Sequence, residues 1–193
     1  MRSSLKGLAV AAALWAGASM AEQVAPIPFN GVDFTFHSIV KINNGWSALY
    51  APFGQDPTKS RDEIIVNYFD AKDGGGNPIT AEGMASGMVS NIKEHGGTTI
   101  LPFAVPDPTR QGALIYYVTS YYVYPQDGNG DIWRAKVLVW KDRVVGLLVK
   151  HQVDGTGAQE IETNIRAWLV ENLQSQGPIL DAIPIPPEPA HGE

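Results

Sequence analysis

The chain has no cysteine among its 193 residues. No disulfide, thiolate zinc site, cysteine nucleophile or iron–sulfur cluster can therefore be built from it. Cations are also scarce: 14 Lys and Arg stand against 20 Asp and Glu, a formal net charge of −6. A protein that tracks phosphates needs the opposite balance, so no nucleic-acid partner is expected. Long apolar runs are missing too. The stretch Leu8 to Ala16 has nine residues, far short of the ~20 needed to cross a bilayer. No later segment approaches that length, so no membrane span is expected. What the chain does contain is 44% apolar and 18% charged residues, a composition that supports a packed core.

The first 21 residues read as an address. Arg2 and Lys6 form a basic start, Leu8 to Ala16 an apolar centre, and Ser19 and Ala21 are small residues at the −3 and −1 positions before Glu22. These are the three parts of a secretory signal peptide. Its removal leaves 12 cations against 20 anions, a net charge of −8. With no cysteine after the apolar centre there is no thiol to lipidate. The expectation is an exported protein, periplasmic in a Gram-negative source and otherwise secreted.

Residues 22–31 form a proline-containing lead-in, 32–176 a single domain, and 177–193 a tail with five prolines that is not expected to be helical. Alternation around Phe34 and Phe36 predicts a strand over about 32–42, and Asn43-Asn44-Gly45 a turn into a partner strand from Trp46 to Ala51. Further strands are predicted over 63–70, 98–104, 113–124, 132–140 and 144–153. One helix runs from an N-cap at Thr80 to His95, with the stripe Ala81, Met84, Ala85, Met88 and Ile92. Its glycines, Gly83 and Gly87, suggest close approach to a sheet. A second helix spans about 158–175 and stops at Gly177-Pro178. The three strands from Ala113 to Val153, joined by short turns, make an antiparallel meander.

The order of these elements, with Phe34-Thr35-Phe36, Gly45-Trp46, the strand from Glu63 to Asp70, the helix from Thr80 to His95 and the segment from Ala113 to Trp168, resembles the PsbP-like superfamily. Relatives often carry proline before the Gly-Trp pair, where this chain has Asn43-Asn44. The resemblance implies an α+β fold, an α/β/α sandwich around a central antiparallel sheet. It carries over no catalytic site, because members bind unrelated partners.

Motif-level chemistry is thin. Asp127-Gly128-Asn129-Gly130-Asp131 opens like a calcium loop, but Ile132 and Leu138 replace the required glycine and glutamate, so a hairpin turn is expected. Gly155-Thr156-Gly157 begins like a dinucleotide fingerprint, yet Glu160 takes the third glycine position and the reading is a strand-to-helix joint. Gly74-Gly75-Gly76 lacks the Lys-Ser/Thr of a phosphate loop. His37, His95, His151 and His191 are dispersed, and His151 with Asp154 lacks a nucleophile elbow. Neither cofactor nor metal is expected.

Aromatic residues are the most suggestive feature. Trp46, Tyr122, Tyr124 and Trp140 are the candidates for a partner or ligand patch. The resulting expectation is a non-catalytic binding or accessory protein of the cell envelope, taking an envelope protein or a small apolar ligand. The rival is a small hydrolase or metal-dependent enzyme assembled from dispersed His and Asp residues.

Overall fold

A computed structural model describes residues 24–189, the side chains of Leu101 and of 173–179 apart. The proposed signal peptide lies outside the described residues. The alternating segments form strands β1 (Ile27–Phe29), β2 (Val32–Ile42), β3 (Gly45–Pro52), β4 (Asp62–Phe69), β5 (Thr98–Pro106), β6 (Leu114–Tyr124), β7 (Asn129–Trp140) and β8 (Arg143–Asp154). Two helices, α1 (Ala81–Glu94) and α2 (Ala158–Ala182), complete the chain. All eight strands join one antiparallel sheet in the order β1-β2-β3-β4-β8-β7-β6-β5.

The expected α/β/α sandwich is overturned. Strand accounts for 47% and helix for 20%, and the sheet curls into a half-barrel. The reason is one of width. Eight strands span roughly 38 Å at about 4.8 Å per strand, whereas a helix with its side chains is about 10 Å across. α1 therefore lies mainly over β5, β6 and β7, and α2 over β6, β7 and β8. Two helices cannot layer such a sheet. Curling lets its inner face bury against itself, and one core cluster runs from Ile27 and Phe29 through Tyr50, Val66 and Leu147 to Tyr117.

The meander β6-β7-β8 is present as expected, and β5 extends it to four strands. Part of the lead-in, Ile27–Phe29, pairs as an edge strand with β2. The second helix does not stop at Gly177-Pro178 but continues to Ala182. Leu180 and Ile183, each 2% exposed, join the inner core, and their burial overrides the local breaking signal. Residues 183–189 then run without regular structure, with Ile183, Pro186 and Pro189 buried.

α1 starts as its sequence requires, the Thr80 hydroxyl accepting from the Gly83 amide at 3.0 Å. Ala81, Ala85 and Ile92 are buried against Val118, Ala135 and Val137. The two helix glycines do not mark a close approach to the sheet: a Cβ at Gly83 would meet only the Thr80 hydroxyl, and one at Gly87 nothing within 4 Å. The close approach lies at Gly45, where a Cβ would sit 2.0 Å from the Tyr68 carbonyl oxygen. Gly45→Ala should accordingly cost more than about 2 kcal/mol in urea unfolding, while Gly87→Ala should stabilise by roughly 0.5–1 kcal/mol.

Candidate functional site

Strand alternation sends one set of side chains to the inner face of the half-barrel. From β4 come Asp62, Ile64, Val66 and Tyr68, and from β8 Val145, Leu147, Val149 and His151, paired in register. β7 contributes Ile132, Arg134, Lys136, Leu138 and Trp140. Arg134 and Lys136 thus stand side by side on a face that is otherwise mainly apolar. Each is only 5% exposed.

Their environments differ. The Lys136 ammonium donates to the Leu180 carbonyl at 2.6 Å and lies 3.9 Å from the Asp181 carboxylate. The Tyr117 hydroxyl donates to the same carboxylate. Burial lowers the Lys136 pKa, and Asp181 opposes that shift. Arg134 has no such company: its buried Nε and Nη1 lack a hydrogen-bond partner. Burial alone lowers its pKa to about 10, which leaves it cationic at neutral pH.

The tail closes the far end of this face. The Tyr68 hydroxyl donates to the Pro186 carbonyl at 3.0 Å, and Arg143 holds Glu188 and Asp70 at 3.2 Å each. Burial also pushes Tyr50, which packs edge-on against Phe36, up to about 12. Elsewhere on the inner face His151 pairs with Asp62 at 2.7 Å and stacks on Trp168 of α2 at 4.7 Å.

The four aromatic candidates fall on two sides of the sheet. Trp46 and Trp140 belong to the inner face, beside Tyr68 and Arg143 respectively, the residues that hold the tail. Lys41 lies over the Trp46 ring at 5.8 Å and Lys141 over the Trp140 ring at 4.3 Å. Tyr122 and Tyr124 are on the outer face, stacked at 6.1 Å, with Tyr122 packed against the α1 cluster. All four are half-buried, and no single patch unites them. Burial raises the pKa of Tyr124 to about 12, with Asp131 adding to the shift.

Asp131 neighbours this pair on the outer face. Its Oδ1 is buried without a hydrogen-bond partner, and burial raises its pKa, with Lys150 opposing. Lys150 itself pairs with Glu63 at 3.1 Å and lies 5.9 Å from the Trp133 ring centre. A separate cleft of about 480 Å³ opens between α1 and the β5–β6 edge, lined by Ala85, Ser86, Val89, Phe103, Tyr116 and Val118.

The remaining motifs resolve into local structure. Asn129 and Asp131 are strand residues paired with Tyr124 and Tyr122, so the calcium-loop run is a turn leading into β7. Glu160 folds back onto the Thr156 amide at 2.9 Å and closes the start of α2. His37 and His95 are exposed and apart from His151, and Asp154 pairs with Arg61 rather than with His151. Among the described residues no three His, Asp or Glu side chains converge as metal ligands, and no helix is long and apolar enough to cross a membrane. Sequence reading missed Arg134 and Lys136. The alternation signal was available, since both lie in phase with Ile132 and Leu138, but a cation two residues from another on a strand usually marks a solvated face.

No protein-family model matches this chain, and no curated protein is similar to it in sequence. The PsbP-like resemblance rests on the short motifs that suggested it.

Removing residues 183–193 should lower stability by about 3 kcal/mol, the scale of burying two isoleucines such as Ile183 and Ile185, and should red-shift tryptophan emission as Trp46 and Trp140 gain water. The raised pKa of Asp131 means that the folded state holds its proton more tightly than the unfolded state. That contribution is complete below the ordinary Asp pKa and is lost as pH rises through the raised value. Asp131→Asn should therefore stabilise the protein at about pH 7 and make little difference near pH 3 in urea titrations.

Proposed function

We propose that this chain is an exported, non-catalytic binding protein of the cell envelope that takes a small apolar ligand. The observation that carries the reading is the cleft between α1 and the β5–β6 edge. Its volume of about 480 Å³ falls within the range of small-molecule sites. Alanine, valine and aromatic side chains line it, while Ser86 and Ser90 offer hydroxyls for orientation. The basic start, apolar centre and small residues of positions 1–21 support export.

One observation favours the enzymatic rival. The His151–Asp62 pair has the composition of a general base with its orienting carboxylate. Among the described residues the side-chain partners of His151 are Asp62 and the Trp168 ring, and no hydroxyl is among them.

The test uses the processed chain beginning at Glu22. Titration with the neutral fluorophore N-phenyl-1-naphthylamine should give saturable enhancement at one site per chain. Ser86 is exposed on α1 and lines the cleft, so Ser86→Trp should fill it and weaken binding at least tenfold without changing the fold seen by circular dichroism. Binding that fails to saturate, or is indifferent to this substitution, overturns the reading.

A further inference from the structure

The inner face holds a second feature, on the other side of the sheet from α1. Arg134 is 95% buried. Its cross-strand neighbours are Thr119 and Val149, and Ile132 and Lys136 flank it along β7. α2 crosses above this region, because Leu169 shares a core cluster with Ile132 and the Leu180 carbonyl meets Lys136. Among the described residues no carboxylate pairs with the guanidinium. Asp181, at the end of α2, is already engaged by Lys136 and Tyr117.

A buried charge without a counter-charge is among the costliest arrangements a fold can hold. Arginine cannot escape by losing its proton near neutrality. Two of its nitrogens, Nε and Nη1, carry hydrogens with no acceptor. Because Asp181 already serves Lys136, one positive charge remains to be met. A single monovalent anion balances it, and a carboxylate oxygen can accept from the Nε or the Nη1 hydrogens. The surrounding Ile132, Val149, Leu147 and Leu169 favour an apolar body on that carboxylate.

We propose that the inner face of the half-barrel is a binding site for an apolar monocarboxylate, with Arg134 as its anion anchor and Lys136 as the adjacent cation fixed by the end of α2. Arg134 does not line the cleft under α1, which shares with this region only Tyr117, through Asp181.

The experiment compares hexanoate, hexanol and inorganic phosphate as probes on the processed chain, by thermal unfolding and calorimetric titration. At tenfold its Kd, hexanoate should raise Tm by roughly 3 °C or more. Hexanol, with the same chain and no charge, should not, and neither should phosphate at equal concentration. Arg134→Met should abolish the hexanoate response and raise the Tm of the ligand-free protein, because it removes an unanswered buried charge. Arg134→Lys should keep the fold and weaken hexanoate at least tenfold. Equal responses to hexanoate and hexanol, or to hexanoate and phosphate, would overturn the assignment, as would a hexanoate response that survives Arg134→Met. The comparison on the unsubstituted chain stands even if the methionine variant fails to fold. Ser86→Trp should leave hexanoate binding intact, so failure of this site and failure of the cleft are read separately.

Discussion

Everything in this molecule hangs on the pairing of β4 with β8. The chain lays down one four-strand meander, β1 to β4, then uses α1 to reach the far edge and returns through β5, β6, β7 and β8. Only when β8 lies against β4 do the two meanders become one sheet. Its central pairs, Ile64 with Val149, Val66 with Leu147 and Tyr68 with Val145, are all 4% exposed or less. Those residues point inward, so the joint is at once the hydrogen-bonded seam and the middle of the core. The curl follows from it, since a wide twisted sheet with one strongly apolar face and too few helices must fold over that face.

The curl in turn sets the fate of the C-terminal segment. α2 leaves the end of β8 and crosses the inner face rather than stacking as a layer outside it. Gly130 permits the close crossing, because a Cβ there would meet Ile161 at 2.6 Å and the Tyr122 carbonyl at 2.7 Å. The end of α2 then supplies the one carbonyl and one carboxylate that satisfy Lys136. The tail continues along the same face, with Tyr68 and Arg143 holding its backbone and Glu188. The inner face is thus closed by elements that come last in the chain, and its polar groups are satisfied unevenly: Lys136 has a carbonyl and a carboxylate, while Nε and Nη1 of Arg134 have no partner. A partly satisfied polar pair in a low-dielectric interior costs stability. Such sites persist in native proteins where a function keeps them.

Much of the architecture was legible in the residues. Alternation, β-branched and aromatic content and turn residues located seven of the eight strands, and the N-cap at Thr80 located the start of α1. These signals are local, carried by side-chain phase and backbone preference over a few residues. The errors share one cause. Gly177-Pro178 reads as a stop, and only the contacts of Leu180 and Ile183 with distant strands keep the helix going. The triplet Ile27–Phe29 is too short to show alternation, and its partner β2 makes it a strand. Two helices flanking a predicted sheet suggest layers until the width of that sheet is known.

The candidate site divides in the same way. Sequence alone determined that the chain lacks thiol chemistry, that its charge disfavours phosphate-tracking partners, and which residues alternate to one side of each strand. Tertiary structure alone decided which strands are neighbours, and hence which of those sides faces inward. That is why Trp46 and Trp140 parted from Tyr122 and Tyr124, and why Arg134 and Lys136 became interior cations instead of surface ones. A residue's phase along a strand is a property of its own backbone. Burial is a property of what the rest of the chain places over it.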